Sequence, residues 1–167
     1  MNNDEIFSPE EWEKLKHAFP FVFYLIAGAD KKIDKKERNA IERIFKHPDS
    51  LDNKLASQLI IAIDKHFFDN VPKDLASNLM SLKEISNILD NKLEPPKSLK
   101  FKKILIAVGI YIAKASGDLF TSKMSGIEAQ AINKISDSFN LSIEDLHTKP
   151  SVHKILKKLI KKLSMKI

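Results

Sequence analysis

The chain of 167 residues contains no cysteine. Disulfides, thiolate metal sites and cysteine nucleophiles are therefore excluded. Glycine is also scarce, with only four residues, and none of them begins a G-x-x-x-x-G-K loop that would cradle a phosphate. No serine sits in a nucleophile-elbow context. The five histidines, His17, His47, His66, His147 and His153, include no pair spaced four apart and no H-E-x-x-H. These absences argue against an enzyme. Long apolar runs are missing too. The longest, "FPFVFYLIAGA" (19–29) and "ILIAVGIYIA" (104–113), fall short of the roughly 20 residues that cross a bilayer. They are expected to form buried core helices. The first residues, "MNNDEIF", are acidic and polar, so no signal peptide is expected. With the lack of cysteine, this suggests the cytoplasm.

The formal net charge is +6, and its origin is local. Residues 151–167, "SVHKILKKLIKKLSMKI", hold Lys154, Lys157, Lys158, Lys161, Lys162 and Lys166 with no acid and no Phe, Trp or Tyr. The first 150 residues are formally neutral. Nucleic-acid binders usually spread basic residues over a folded face with aromatics between them, so no nucleic-acid partner is expected. Val152, Ile155, Leu156, Leu159, Ile160 and Leu163 form an apolar stripe opposite the lysines. A terminal helix packed on the rest of the protein needs only this pattern. The alternative is a peripheral adaptor, with Lys154, Lys157, Lys158, Lys161 and Lys162 facing an anionic membrane or an acidic protein partner.

What is abundant is helical spacing. "SPEEWEKLKHAF" opens with a capping box, Ser8 to Glu11, and proline at the first helical position. Pro20 should end that helix, so that "PFVFYLIAGA" starts a new one that is apolar nearly all round. "DKKERNAIERIFKH" and "SLDNKLASQLIIAIDKHFF" follow as amphipathic runs. "PKDLASNLMSLKEISNIL" places Leu75, Leu79, Leu82, Ile85 and Leu89 on one stripe. Pro95 and Pro96 are expected to impose an extended break. "SLKFKKILIAVGIYIAKAS" is the second buried helix, and the amphipathic "SGIEAQAINKISDSF", the short "SIEDLH" and the basic helix complete the chain. The pattern predicts an all-α, single-domain bundle of about seven to nine helices.

The two regions that follow the apolar helices echo each other. "LIAGADKKIDKKERNAIERIF" and "YIAKASGDLFTSKMSGIEAQAINKIS" both run from an apolar helix through alanine and an aspartate turn to a glutamate followed by isoleucines. Glu37, Ile41 and Ile44 match Glu128, Ile132 and Ile135. The chain therefore divides into two pseudo-repeated halves, about 8–90 and 97–167. Asp34-x-x-Glu37 and Ser125-x-x-Glu128 are also capping boxes, and on spacing alone that is the simpler reading. Yet positions i, i+4 and i+7 share a helix face. Each glutamate thus lies on the side of isoleucines that should face the core, where a carboxylate needs a donor, a lysine or a cation. If the halves pack symmetrically, Asp30, Asp34, Glu37, Asp118 and Glu128 would form a cluster of hard oxygen donors suited to Ca2+ or Mg2+. The turns are not EF-hands, because Lys32 and Lys35 stand where an acid and a glycine are required.

At these residues, "AGADKKIDKKERNAI" and "ASGDLFTSKMSGIEAQAI", the sequence resembles the TerB family of tellurite-resistance domains. The resemblance covers the central logic of both halves. It departs in the first turn, where Lys31 follows Asp30 in place of the family's common glycine. It implies a helical bundle of two related halves and a non-catalytic binding or scaffold role. It also implies stress responses to tellurite, chemical or phage attack, with a protein partner. A relative of the domain occurs in a membrane-associated DnaJ-type co-chaperone. Divalent metal would be held by the acidic turns, which here means Asp30, Asp34, Glu37, Asp118 and Glu128.

Overall fold

The computed structural model describes residues 3–29, 33–63, 66, 74–115 and 126–166, with the backbone alone at 3–4 and 126–128. A short helix α1 (Asn3–Ile6) leads into α2 (Pro9–Leu15). The expected capping box is present. The Glu11 amide donates to Ser8 Oγ at 3.1 Å, and the Ser8 amide donates to the Glu11 carboxylate at 2.8 Å. The next helix, α3 (Ala18–Ala27), begins two residues before Pro20 rather than at it. First-turn amides have no intrahelical acceptor, so proline fits there without breaking a bond. All ten residues of α3 are buried.

Helix α4 (Lys35–Lys46) is followed by a 3-10 turn (Pro48–Leu51) and α5 (Lys54–Ala62). The run expected as one amphipathic helix from residue 50 is therefore divided. Asp52 adopts a left-handed conformation with φ of 52°, and Asn53 then caps α5 through the Ala56 amide at 2.9 Å. Helix α6 (Leu75–Lys92) buries Leu82, Ile85 and Leu89 as predicted, but its buried face also takes in Asn78 and Ser86. Leu75, in the first turn, is 45% exposed. The two prolines open α7 (Pro95–Lys114) instead of extending a linker. Only Leu93 and Glu94 separate it from α6, and Glu94 carries the extended geometry (ψ of 144°) that a following proline imposes. Helices α8 (Gly126–Ser138), α9 (Ile143–His147) and α10 (Val152–Ser164) complete the order. Among the described residues eight helices have seven residues or more and there is no strand. The protein is an all-α bundle. Among the same residues no helix is long and apolar enough to cross a membrane.

The two apolar helices, α3 and α7, lie against each other at the centre. Phe19 meets Phe101 edge-on across this contact, with ring centroids 6.1 Å apart. Helix α6 packs on α3 and α10 packs on α7, while α4 and α8 each touch both central helices. In chain order α4 follows α3 as α8 follows α7. Ile41, Ile44, Ile132 and Ile135 are all buried. Gly109 of α7 sits at a close approach of three helices. A β-carbon there would lie 3.1 Å from Ile132 Cδ1 and 3.3 Å from Val22 Cγ1.

Two adjacent lysines of α7 are buried. Lys102 donates to both oxygens of Asp90 at 2.8 and 2.7 Å and to the Phe139 carbonyl at 3.2 Å. Asp90 also accepts from Ser98 Oγ at 2.6 Å. Lys103 donates to Thr148 Oγ1 at 2.7 Å and to the carbonyls of Thr148 and Pro150 at 2.9 and 3.3 Å. Burial holds its ammonium below the ordinary lysine range, with Asp145 acting in opposition.

Helix α10 docks by its apolar stripe, burying Val152, Leu156, Leu159 and Leu163. Arg43 of α4 donates to the Leu163 carbonyl at 3.2 Å, near the negative end of the α10 dipole. Lys158 and Lys162 pair with Asp52, and Lys166 pairs with Asp49 at 3.1 Å. The hydrogen bond from Lys158 is the main cause of a lowered Asp52 pKa, and Lys166 lowers Asp49 in the same way.

Two predictions follow from this packing. Gly109→Leu should lower the unfolding free energy by about 2 kcal/mol or more through overpacking. Gly109→Ala should be far milder, because helix propensity returns about 1 kcal/mol against a contact that flexible side chains can relieve. Denaturant titration measures both. Because the Asp52 carboxylate ionises more readily when folded, its contribution is complete above the ordinary value of 3.8 and fades as pH falls below it. Asp52→Asn should therefore cost roughly 0.5 kcal/mol near neutrality. Between pH about 5 and about 3 the variant should lose less stability than the parent chain.

Candidate functional site

The first acidic turn joins α3 to α4. Asp34 is extended (φ −71°, ψ 144°) and caps α4. Its Oδ1 accepts the Lys36 amide at 2.8 Å, and Glu37 Oε2 accepts the Asp34 amide at 3.0 Å. The reciprocal box predicted from the spacing is formed. The accompanying prediction about direction holds as well. Glu37 is only 2% exposed and lies on the face shared by Ile41 and Ile44. A buried carboxylate at a helix N-terminus is held by main-chain donors and by the positive end of the dipole. Asp34 itself is exposed.

Asp30 and Asp118 lie outside the described residues, and so does the Ser125 cap. Glu128 is placed on α8 by its backbone. Among the described residues, no three His, Asp or Glu side chains group as metal ligands.

Beside the turn, the end of α3 and the start of α6 enclose a cavity of about 590 Å3. Tyr24, Leu25, Gly28, Ala29, Ile33 and Leu75 contribute mainly apolar surface. Asn78 also lines it, and among the described residues its buried Oδ1 has no hydrogen-bond partner. Sequence spacing alone missed Asn78, since an asparagine between the leucines of an amphipathic helix gives no periodic signal.

The basic helix resolves into two groups of lysines. Lys158 and Lys162 are tied to Asp52 within the protein. Lys154, Lys157 and Lys161 are exposed, and among the described residues no carboxylate pairs with them. The apolar stripe beneath them packs mainly on α7. A partner approaching the exposed face of α10 meets ammonium groups.

Comparison with curated proteins gave no match, and comparison with solved structures gave none either. The family model "Tellurite resistance protein TerB" matches residues 16–149. That span holds both apolar helices, both acidic turns and all the candidate carboxylates, and stops short of α10. With most of its length matched in this way, the chain belongs to the TerB family.

Proposed function

We propose that this chain is a non-catalytic binding or scaffold module of a cytoplasmic stress response to tellurite, chemical or phage attack. It recruits a protein partner and takes a divalent cation, Ca2+ or Mg2+, at its acidic turns. The observation that carries this reading is the TerB match across both halves. The geometry of Asp34 and Glu37 is compatible with the cation. One oxygen of each is engaged by a main-chain amide, and hard oxygen donors of this kind suit such ions. Asp34 and Glu37 would hold the ion with Asp30, Asp118 and Glu128. When bound, it would neutralise like charges and bind the two halves together. Lys35 and Lys36 stand beside the turn and oppose it, so modest affinity is expected.

Thermal melting in Ca2+ or Mg2+ tests the cation directly. A ligand that binds only the folded state raises the melting temperature, by an amount set by RT ln(1 + [L]/Kd). A rise is expected at metal concentrations on the order of 1 mM, since extracellular-type calcium sites bind in about that range. Asp34→Ser keeps a capping hydroxyl and removes the carboxylate. It should leave metal-free stability nearly unchanged while reducing the metal-dependent rise. No rise in the parent chain would reject the cation.

A second reading is favoured by the lysine face of α10. A peripheral adaptor would use Lys154, Lys157 and Lys161 to meet an anionic membrane or an acidic protein surface. Each lysine near an anionic bilayer contributes about 1 kcal/mol, and the attraction is screened by salt. Co-sedimentation with phosphatidylserine vesicles should fall sharply in a Lys154→Glu, Lys157→Glu, Lys161→Glu triple variant. Equal binding by that variant would exclude the lysine face.

A further inference from the structure

Away from the acidic turns, a pocket of about 240 Å3 opens where α10, α7 and the 3-10 turn converge. Leu51, Ile104, Ile155 and Leu159 line it with apolar surface, and Pro150 closes one side. Pro150 is held in place by the Lys103 ammonium, which donates to its carbonyl. Lys100, Lys154 and Lys158 also line the pocket, with Asp52 the single acid among them. Asp52 is already paired with Lys158. Among the described residues neither Lys100 nor Lys154 has a carboxylate partner, so the pocket carries an uncompensated positive charge.

Ser50 supplies a further observation, independent of charge. It lines the same pocket and is 2% exposed, and among the described residues its Oγ has no hydrogen-bond partner. An orphaned buried hydroxyl is costly and uncommon. Ser57, nearby on α5, turns its own hydroxyl to the Pro48 carbonyl instead. An apolar chamber with a spare hydroxyl and two unpaired ammonium groups has the chemistry of a site for an amphiphilic anion. The volume falls below the roughly 300–1,000 Å3 of sites for drug-sized ligands, so the occupant is small.

We propose that this pocket binds a small carboxylate with an unbranched apolar tail. The tail lies between Ile104, Ile155 and Leu159, and the carboxylate meets Lys100, Lys154 and the Ser50 hydroxyl. The site is separate from the acidic turns and does not depend on the cation reading. It differs from membrane docking because the ligand enters as a single molecule and the apolar contact is made inside the fold.

The test is titration of the full chain with octanoate below its micelle concentration, followed by amide chemical shifts and calorimetry. Acetate and 1-octanol are titrated in parallel. Octanoate should bind with a Kd on the order of 1 mM or tighter, given about ten non-hydrogen atoms. The shifts should centre on residues 50–52, 100–104 and 150–159. Acetate and octanol should each bind at least about tenfold more weakly, since each lacks half of the recognition. Lys100→Glu combined with Lys154→Glu changes exposed positions only and should weaken octanoate by about tenfold or more. Ser50→Ala should weaken it several-fold. Octanol binding as well as octanoate, acetate binding as well as octanoate, shifts centred elsewhere, or an unchanged affinity in the double lysine variant would each overturn the proposal.

Discussion

The close approach of α3 and α7 is the constraint on which the rest of the structure depends. Both helices are apolar around most of their circumference, so neither can be stable at a surface. Each must be enclosed by others, and the bundle is the set of amphipathic helices that does so. Gly109 lets the enclosure close. Its missing side chain leaves room for Ile132 of α8 and Val22 of α3 at the same point. Three helices therefore meet there at a spacing that an ordinary side chain would widen. Because α4 leans on both central helices, its first turn, which carries Asp34 and Glu37, is held against the core.

The two buried lysines show how the second half is joined to its surroundings. Lys102 ties α7 to Asp90 of α6 and to the end of α8. Lys103, one residue on, ties the same helix to the segment between α9 and α10. Neighbouring residues on a helix point about 100° apart, so the pair holds two different sides. The partners differ in kind. Lys102 has a carboxylate that is half in water, while Lys103 has neutral oxygens alone within bonding distance. Neutral acceptors compensate burial less fully than a carboxylate, which agrees with the direction of the Lys103 shift. This bond also holds Pro150 against the pocket beside α10, so its energetic cost is tied to the pocket's shape.

Much of this was legible in the sequence, and the reason is that helices announce themselves through spacing. The all-round apolar character of residues 19–29 and 104–113 identified the central pair. Ser8–Glu11 and Asp34–Glu37 marked helix starts through local bonds that need no tertiary information. The inward face of Glu37 followed from its register with Ile41 and Ile44. Other features were out of reach because they depend on what lies opposite. The prolines at 95 and 96 permit either a linker or a helix start, and only packing of α7 against α6 selects the second. Leu75 fits the stripe of α6 by spacing, but a stripe does not reveal which of its members stay exposed. Lys102 and Lys103 interrupt an apolar pattern without indicating which distant oxygens satisfy them. The orphaned hydroxyl of Ser50 has no sequence signature at all.

The same local electrostatics bear on how the acidic turn can act. Asp34 and Glu37 sit at the amino end of α4, where the dipole and unbonded amides attract negative charge. They are stabilised there without an ion. A cation brought to these two carboxylates alone would face the positive end of the helix and the ammonium groups of Lys35 and Lys36. Binding would then be opposed by the forces that make the cap favourable. Net attraction requires further carboxylates from outside α4, arriving from a direction where the dipole is not felt. A duplicated turn supplies that possibility in a way that a single capping box does not. The cation reading is therefore a claim about convergence of the two halves rather than about either turn alone.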